Sequence, residues 1–101
     1  DYIIVKKGHS EFIKISYNDI LFIEADNDYI QIYTKKEKIR THCTLKEILK
    51  KLSKDFMKTH RSYIINKQCA STLSTSSLKI SGYTIPISRA YQTDVKNYLF
   101  N

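Results

Sequence analysis

A chain of 101 residues, 42% hydrophobic and 27% charged, has the size and composition of one globular domain, and residues 1–101 are read as a single unit. No apolar run approaches the roughly 18 residues of a bilayer-crossing helix, no signal-peptide pattern opens the chain, and Cys43 and Cys69 form no disulfide framework; the expectation is a cytoplasmic protein with reduced thiols and no membrane partner. The net charge is +7, and all of it falls between residues 35 and 61, where ten lysines and arginines face three acids. Such a basic segment on an otherwise balanced domain attracts polyanions, nucleic acid first, although a merely solubilising lysine-rich face fits the same count.

The first 43 residues read as strands. Residues 2–5 lead to a turn at Gly8, and residues 12–17 alternate apolar and polar at the period of two. Asn18-Asp19 signals a turn before the apolar run 20–23, the acidic stretch "EADND" (24–28) reads as a tight loop, and residues 29–34 alternate again. A turn over 35–38 and a short strand over 39–43 follow. Thr44 with Glu47 three residues on forms a capping box. Leu45, Ile48, Leu49 and Leu52 then make the buried stripe of a helix of two to three turns, with Lys46, Lys50 and Lys51 outward.

The stretch "KTHRSYIIN" (58–66) places Lys58, His60 and Arg61, with the hydroxyls of Thr59 and Ser62, immediately before an apolar strand at 63–66. Residues 67–77 read as a weak strand and a loop. Residues 78–87 carry a hairpin signature, with Gly82 at the first central position of a type II′ turn and Pro86 demanding a sheet edge. Ser88 is placed to cap a final helix whose apolar face is Tyr91, Val95, Tyr98 and Leu99. The fold class is mainly β, of antiparallel sheets, with one short amphipathic helix and a C-terminal helical tail.

Catalytic and metal chemistry find little support. His9, His42, His60, Cys43 and Cys69 fall in no ligand spacing, and two glycines cannot build a phosphate loop. Asp26 and Asp28 lie in a turn with no base nearby in the sequence. No enzyme, catalytic residue, metal or cofactor is expected. Nucleic-acid binding is better served: the planar fork of Arg61 suits the O6 and N7 of guanine, Thr59, His60 and Ser62 are phosphate-contact types, Lys58 adds a point charge, and Arg89 after "IPIS" is a second candidate reader.

The order of "DILFIEADNDYIQIYT" (19–34), "TLKEILKKL" (44–52), "FMKTHRSYIIN" (56–66) and "LKISGYTIPISRAY" (78–91) resembles the LytTR-type DNA-binding domain, the output module of many bacterial two-component response regulators. The resemblance implies an elongated antiparallel β fold whose loops enter successive major grooves of double-stranded DNA. It implies also an upstream receiver domain, so that this chain is a fragment which dimerises on paired repeat sites through that domain and is monomeric without it. Carried over by position, Arg61 and Arg89 are base-contacting and the loop around Asn27 and Tyr29 supplies a third base contact. Lys58, His60, Ser62 and Ser88 are similar to phosphate-contact positions, and Lys46 joins them as a lysine of the basic segment. Asp26 and Asp28 are awkward beside phosphates: either they face away or that loop contributes less. Two rivals remain at this point: a protein-interaction module using the Pro86 edge, and a single-strand binder stacking bases on Tyr29, Tyr33 and Tyr83.

Overall fold

The run Ile20-Leu21-Phe22-Ile23 is buried at every position. A strand covered on both faces needs no alternation, and this one becomes the middle of the largest sheet. The computed structural model describes residues 1–100. Its strands are β1 (Tyr2–Lys7), β2 (Glu11–Ser16), β3 (Ile20–Asp26), β4 (Tyr29–Thr34), β5 (Lys38–His42), β6 (Phe56–His60), β7 (Tyr63–Asn66), β8 (Thr72–Leu73), β9 (Ser77–Ile80) and β10 (Tyr83–Pro86). Helix α1 is Leu45–Leu49 and α2 is Gln92–Phe100. All pairings are antiparallel: a five-stranded sheet in the order β5-β4-β3-β7-β6, a three-stranded sheet β10-β9-β8, and the hairpin β1-β2.

The five-stranded sheet separates two cores. On one face Ile23, Ile30, Ile32, Ile39 and Ile64 pack against α1 and the inner side of the β1-β2 hairpin. On the other, Phe22 and Ile65 meet Leu78, Ile80 and Ile85 of the small sheet and Val95 of α2. Stacking these layers gives extents of 41 × 24 × 23 Å, the elongated shape the resemblance implies. No helix among the described residues is long and apolar enough to cross a membrane.

Four features of the β-hairpins and the first helix differ from the sequence reading. The stretch 24–28 is mostly strand, because β3 runs on through Glu24, Ala25 and Asp26 opposite Gln31, Ile30 and Tyr29, leaving only Asn27-Asp28 as the turn. Asn27 takes φ +56°, a left-handed value that asparagine tolerates better than most residues. Helix α1 has five residues rather than two to three turns. Its capping box is present, with the Glu47 N–H donating to Thr44 Oγ1 (3.1 Å) and the Thr44 N–H to Glu47 Oε1 (2.9 Å). Beyond Leu49 the bonds tighten to three-residue steps, Lys51 N–H to the Ile48 carbonyl and Leu52 N–H to that of Leu49, which still leaves Leu52 against the core.

The third difference concerns "KTHRSYIIN". Phe56–His60 is itself a strand, so the segment is a hairpin with Arg61-Ser62 at its tip rather than a loop before a strand. The fourth is the β9–β10 turn, whose central residues are Ser81 and Gly82. Gly82 is therefore second, and φ is positive at both (+47° and +85°), the requirement of a type I′ turn. Pro86 lies on the edge strand β10, as its missing N–H demands.

Asn66, 2% exposed at the end of β7, ties the sheet to the chain before β3. Its Nδ2 donates to the carbonyls of Ile20 (2.8 Å) and Tyr17 (3.2 Å), and its Oδ1 accepts from the Gln68 N–H (3.0 Å). Replacing it with alanine strands buried carbonyls, so Asn66→Ala is expected to lower unfolding free energy by about 1–3 kcal/mol, measurable by urea denaturation followed by circular dichroism.

Candidate nucleic-acid interface

Three chain reversals gather at one end of the five-stranded sheet. Antiparallel pairing of Glu24 with Tyr63 sets the β3–β4 turn (Asn27-Asp28) beside the β6–β7 turn (Arg61-Ser62), and the Ala25 N–H donates to the Ser62 carbonyl at 2.8 Å. The third is the junction from β10 to the 3-10 turn Arg89–Tyr91, where the Ser88 N–H donates to the Thr59 carbonyl (2.9 Å).

Thr59 holds that junction in place. It is the extra residue of a β-bulge between Lys58 and His60, and a bulge re-aims a side chain. Fully buried, Thr59 donates its hydroxyl to the Pro86 carbonyl (3.0 Å). Its sequence reading as a phosphate-contact type gives way to a structural role, since no oxygen of it is left at the surface.

The remaining candidates divide by what else binds them. Arg61 and Arg89 are exposed, and among the described residues neither side chain has a hydrogen bond or an ion pair. Nδ1 of His60 accepts the Ser62 N–H (3.1 Å), which puts the ring proton on Nε2 as a donor, and the ring meets that of Tyr63 edge-on at 5.7 Å. The main-chain groups of Ser62 are thus spent on His60 and Ala25, leaving its hydroxyl. Ser88 likewise spends its backbone on Thr59 and Tyr91, and its side chain makes no cap. Lys58 is half-buried on β6, beside Met57 and Tyr91. Asn27 is exposed at the tip of its turn. Lys46 is exposed on α1, without a hydrogen bond or ion pair to the three reversals.

Tyr29 is held on both sides. The Arg40 guanidinium sits 4.2 Å from its ring centre, and His42, its cross-strand neighbour, packs edge-on at 5.2 Å. Tyr33 stacks on Phe22 (4.2 Å, 15°), and Tyr83 meets both rings edge-on, so these aromatics pack on one another as a rim over the second core.

The acids of the β3–β4 hairpin also have partners. Glu24 accepts the hydroxyls of Tyr63 (2.6 Å) and Tyr33 (3.0 Å), and Asp26 pairs with Arg40 at 3.5 Å. Only Asp28 of this group stands exposed without an ion pair among the described residues. The hydrogen bond to Glu24, helped by burial, pushes the Tyr63 phenol up to about 12; burial first and then the Glu24 bond raise Tyr33.

The family described as the LytTr DNA-binding domain matches residues 10–100. The chain belongs to that family. Over 64 residues it is 39% identical to the transcriptional regulatory protein NatR of Bacillus subtilis (strain 168), a match covering 62% of this chain and 28% of NatR. The solved LytTr DNA-binding domain of a protein described as a methyl-accepting/DNA response regulator from Bacillus cereus superposes with a TM-score of 0.83. That alignment takes in 99% of this chain and 97% of the other at 20% identity, and it establishes the shared LytTr fold. The chain is therefore a DNA-binding domain of the LytTr kind.

Sequence reasoning passed over Arg40 and His42, which flank Tyr29, and Glu24, which anchors Tyr63. The signal was present in part: Arg40 and His42 alternate with Ile39 and Thr41, so period two puts them on one face, but their meeting with Tyr29 needs the β4–β5 register. For Tyr63 the pH dependence follows from the sign of its shift. A phenol whose pKa is raised on folding is favoured neutral, so its contribution is whole below the unfolded value near 10 and is lost as pH rises through about 12. Unfolding free energy should fall between pH 10 and 12, and Tyr63→Phe should flatten part of that fall; denaturation curves at stepped pH check both.

Proposed function

We propose that this LytTr domain binds double-stranded DNA in a sequence-specific way, as the output domain of a cytoplasmic bacterial response regulator. The observation that carries the reading is the convergence of the three reversals, two of which present arginines with no competing partner. Arg61 and Arg89 read base edges in the major groove. Asn27 and Tyr29, from the neighbouring turn, supply a further contact. Lys58, the Nε2 of His60, and the hydroxyls of Ser62 and Ser88 hold phosphates on either side, and Lys46 with the other lysines of residues 35–61 adds attraction through counterion release.

A receiver domain upstream pairs two such domains on repeated sites, and the domain by itself is a monomer. The rivals lose ground on particular contacts. The Pro86 carbonyl on the edge strand is already taken by Thr59, and Tyr33 and Tyr83 pack on Phe22 rather than standing as free stacking platforms.

Selection from random duplex DNA is expected to return a paired repeat. On that duplex Arg61→Ala or Arg89→Ala should cost about 1–3 kcal/mol and relax the preference at one position. Lys58→Ala should weaken all duplexes alike and lower the slope of log affinity against log salt by about one. Equal loss on random and selected DNA for Arg61→Ala would remove the base-reading role. Fluorescence anisotropy over a salt series makes both measurements.

A further inference from the structure

The β1-β2 hairpin lies against β5, the edge strand of the large sheet, and near its tip Lys7 Nζ bonds Glu37 Oε1 of the β4–β5 turn at 3.1 Å. Between tip and edge lies an open cleft of about 560 Å³, lined by Lys6, Gly8, His9, Tyr29, Arg40 and His42 among others. The family-type contacts of the proposed interface include only Tyr29 from this set. Two fixed cations, two imidazoles and a phenol face one space, a donor set made for an anion. Gly8, at φ +70° with nothing within 4 Å of where a Cβ would stand, leaves its backbone approachable.

The arrangement is held from beneath. The Tyr29 ring carries Arg40 at 4.2 Å on its face and His42 at 5.2 Å against its edge, so the two donors are set by one clamped ring. Two of the carboxylates nearby are occupied, Asp26 lying 3.5 Å from Arg40 and Glu37 bonding Lys7, while Asp28 stands exposed at the turn beside Tyr29. That Asp26–Arg40 pair is loose and half-exposed, and a guanidinium with five donors can keep it while bonding a second anion. Lys6, with no hydrogen bond or ion pair among the described residues, is an uncommitted cation of the cleft.

We propose that this cleft receives a backbone phosphodiester of the bound duplex, so that the β1-β2 hairpin extends the footprint beyond the groove reached by Asn27 and Tyr29. The inference rests on the duplex-binding reading above. It gives Tyr29 a positioning role, aligning Arg40 and His42 on a phosphate, beside any base contact it makes. The hairpin contact is independent of sequence, because every nucleotide offers the same anion.

The test uses the whole domain and a duplex recovered by selection. Lys6→Ala should weaken selected and random duplexes equally and reduce the salt slope by about one, so that the wild-type advantage shrinks about fourfold as salt rises fourfold. Lys6→Arg should restore the slope, and Lys79→Ala, an exposed lysine on β9, should leave it alone. The His9 and His42 ring resonances should shift on adding duplex and stay in place with the same concentration of orthophosphate. An unchanged slope for Lys6→Ala in a wild-type protein that binds duplex overturns the cleft assignment and leaves the duplex reading intact. Shifts with orthophosphate and none with duplex overturn it in favour of a small-anion site. Failure of the wild type to bind any duplex overturns both readings.

Discussion

The pairing of β3 with β7 is the constraint from which the geometry of this surface follows, because it fixes two turns against each other with no side chain involved. Glu24 faces Tyr63 across the ladder, and one further bond, from the Ala25 N–H to the Ser62 carbonyl, locks the tips together. Each such bond contributes only about 0.5–1.5 kcal/mol net. Their effect on geometry is larger than their energy suggests, since β3 is the central strand and is buried on both faces. A slip of one residue would turn Ile23 and Ile64 out of the first core and send Phe22 and Ile65 out of the second. The two hydrophobic cores therefore hold the relative position of two surface turns.

The third reversal is attached by other means. The β10–α2 junction belongs to the small sheet, and what binds it to β6 is the Thr59 bulge, through its hydroxyl to Pro86 and its carbonyl to Ser88. A buried polar residue is costly unless both ends are satisfied, and here they are. The bulge thus converts a position that would have displayed a hydroxyl to solvent into a strut, leaving Lys58, His60 and Arg61 as the polar side chains around it. Rigid support beneath exposed cations matters for recognition, because a side chain whose backbone is already placed loses less freedom on binding.

Much of this was legible from residue order. The period of two located the principal strands, Thr44 and Glu47 marked the start of α1, and Pro86 marked an edge. The failures share a cause. Whether 24–28 is loop or strand, whether "KTHRS" approaches a strand or forms one, and which of Ser81 and Gly82 comes first in the turn are all decided by pairing with residues elsewhere. Local composition carries no register. The same holds for Thr59, whose type suggests a surface contact and whose burial depends on a bulge. Arg61 and Arg89 were legible as residues, whereas the nearness of their turns required β3, β7 and Thr59 together.

The treatment of the acids bears on how such a surface divides its work. The basic excess lies wholly within residues 35–61, so long-range attraction is concentrated in one segment of the chain. The β3–β4 hairpin beside it carries Glu24, Asp26 and Asp28, which would oppose a polyanion if free. Glu24 instead serves two tyrosine hydroxyls, and Asp26 is partly neutralised by Arg40, which the same ring of Tyr29 supports. Asp28 remains uncompensated at the tip. A carboxylate there repels phosphate but can accept a hydrogen bond from a cytosine amino group, so its cost is smallest where the turn faces base edges rather than the backbone. The lysines offer attraction that any polyanion shares, and the partnered acids keep the hairpin from cancelling it.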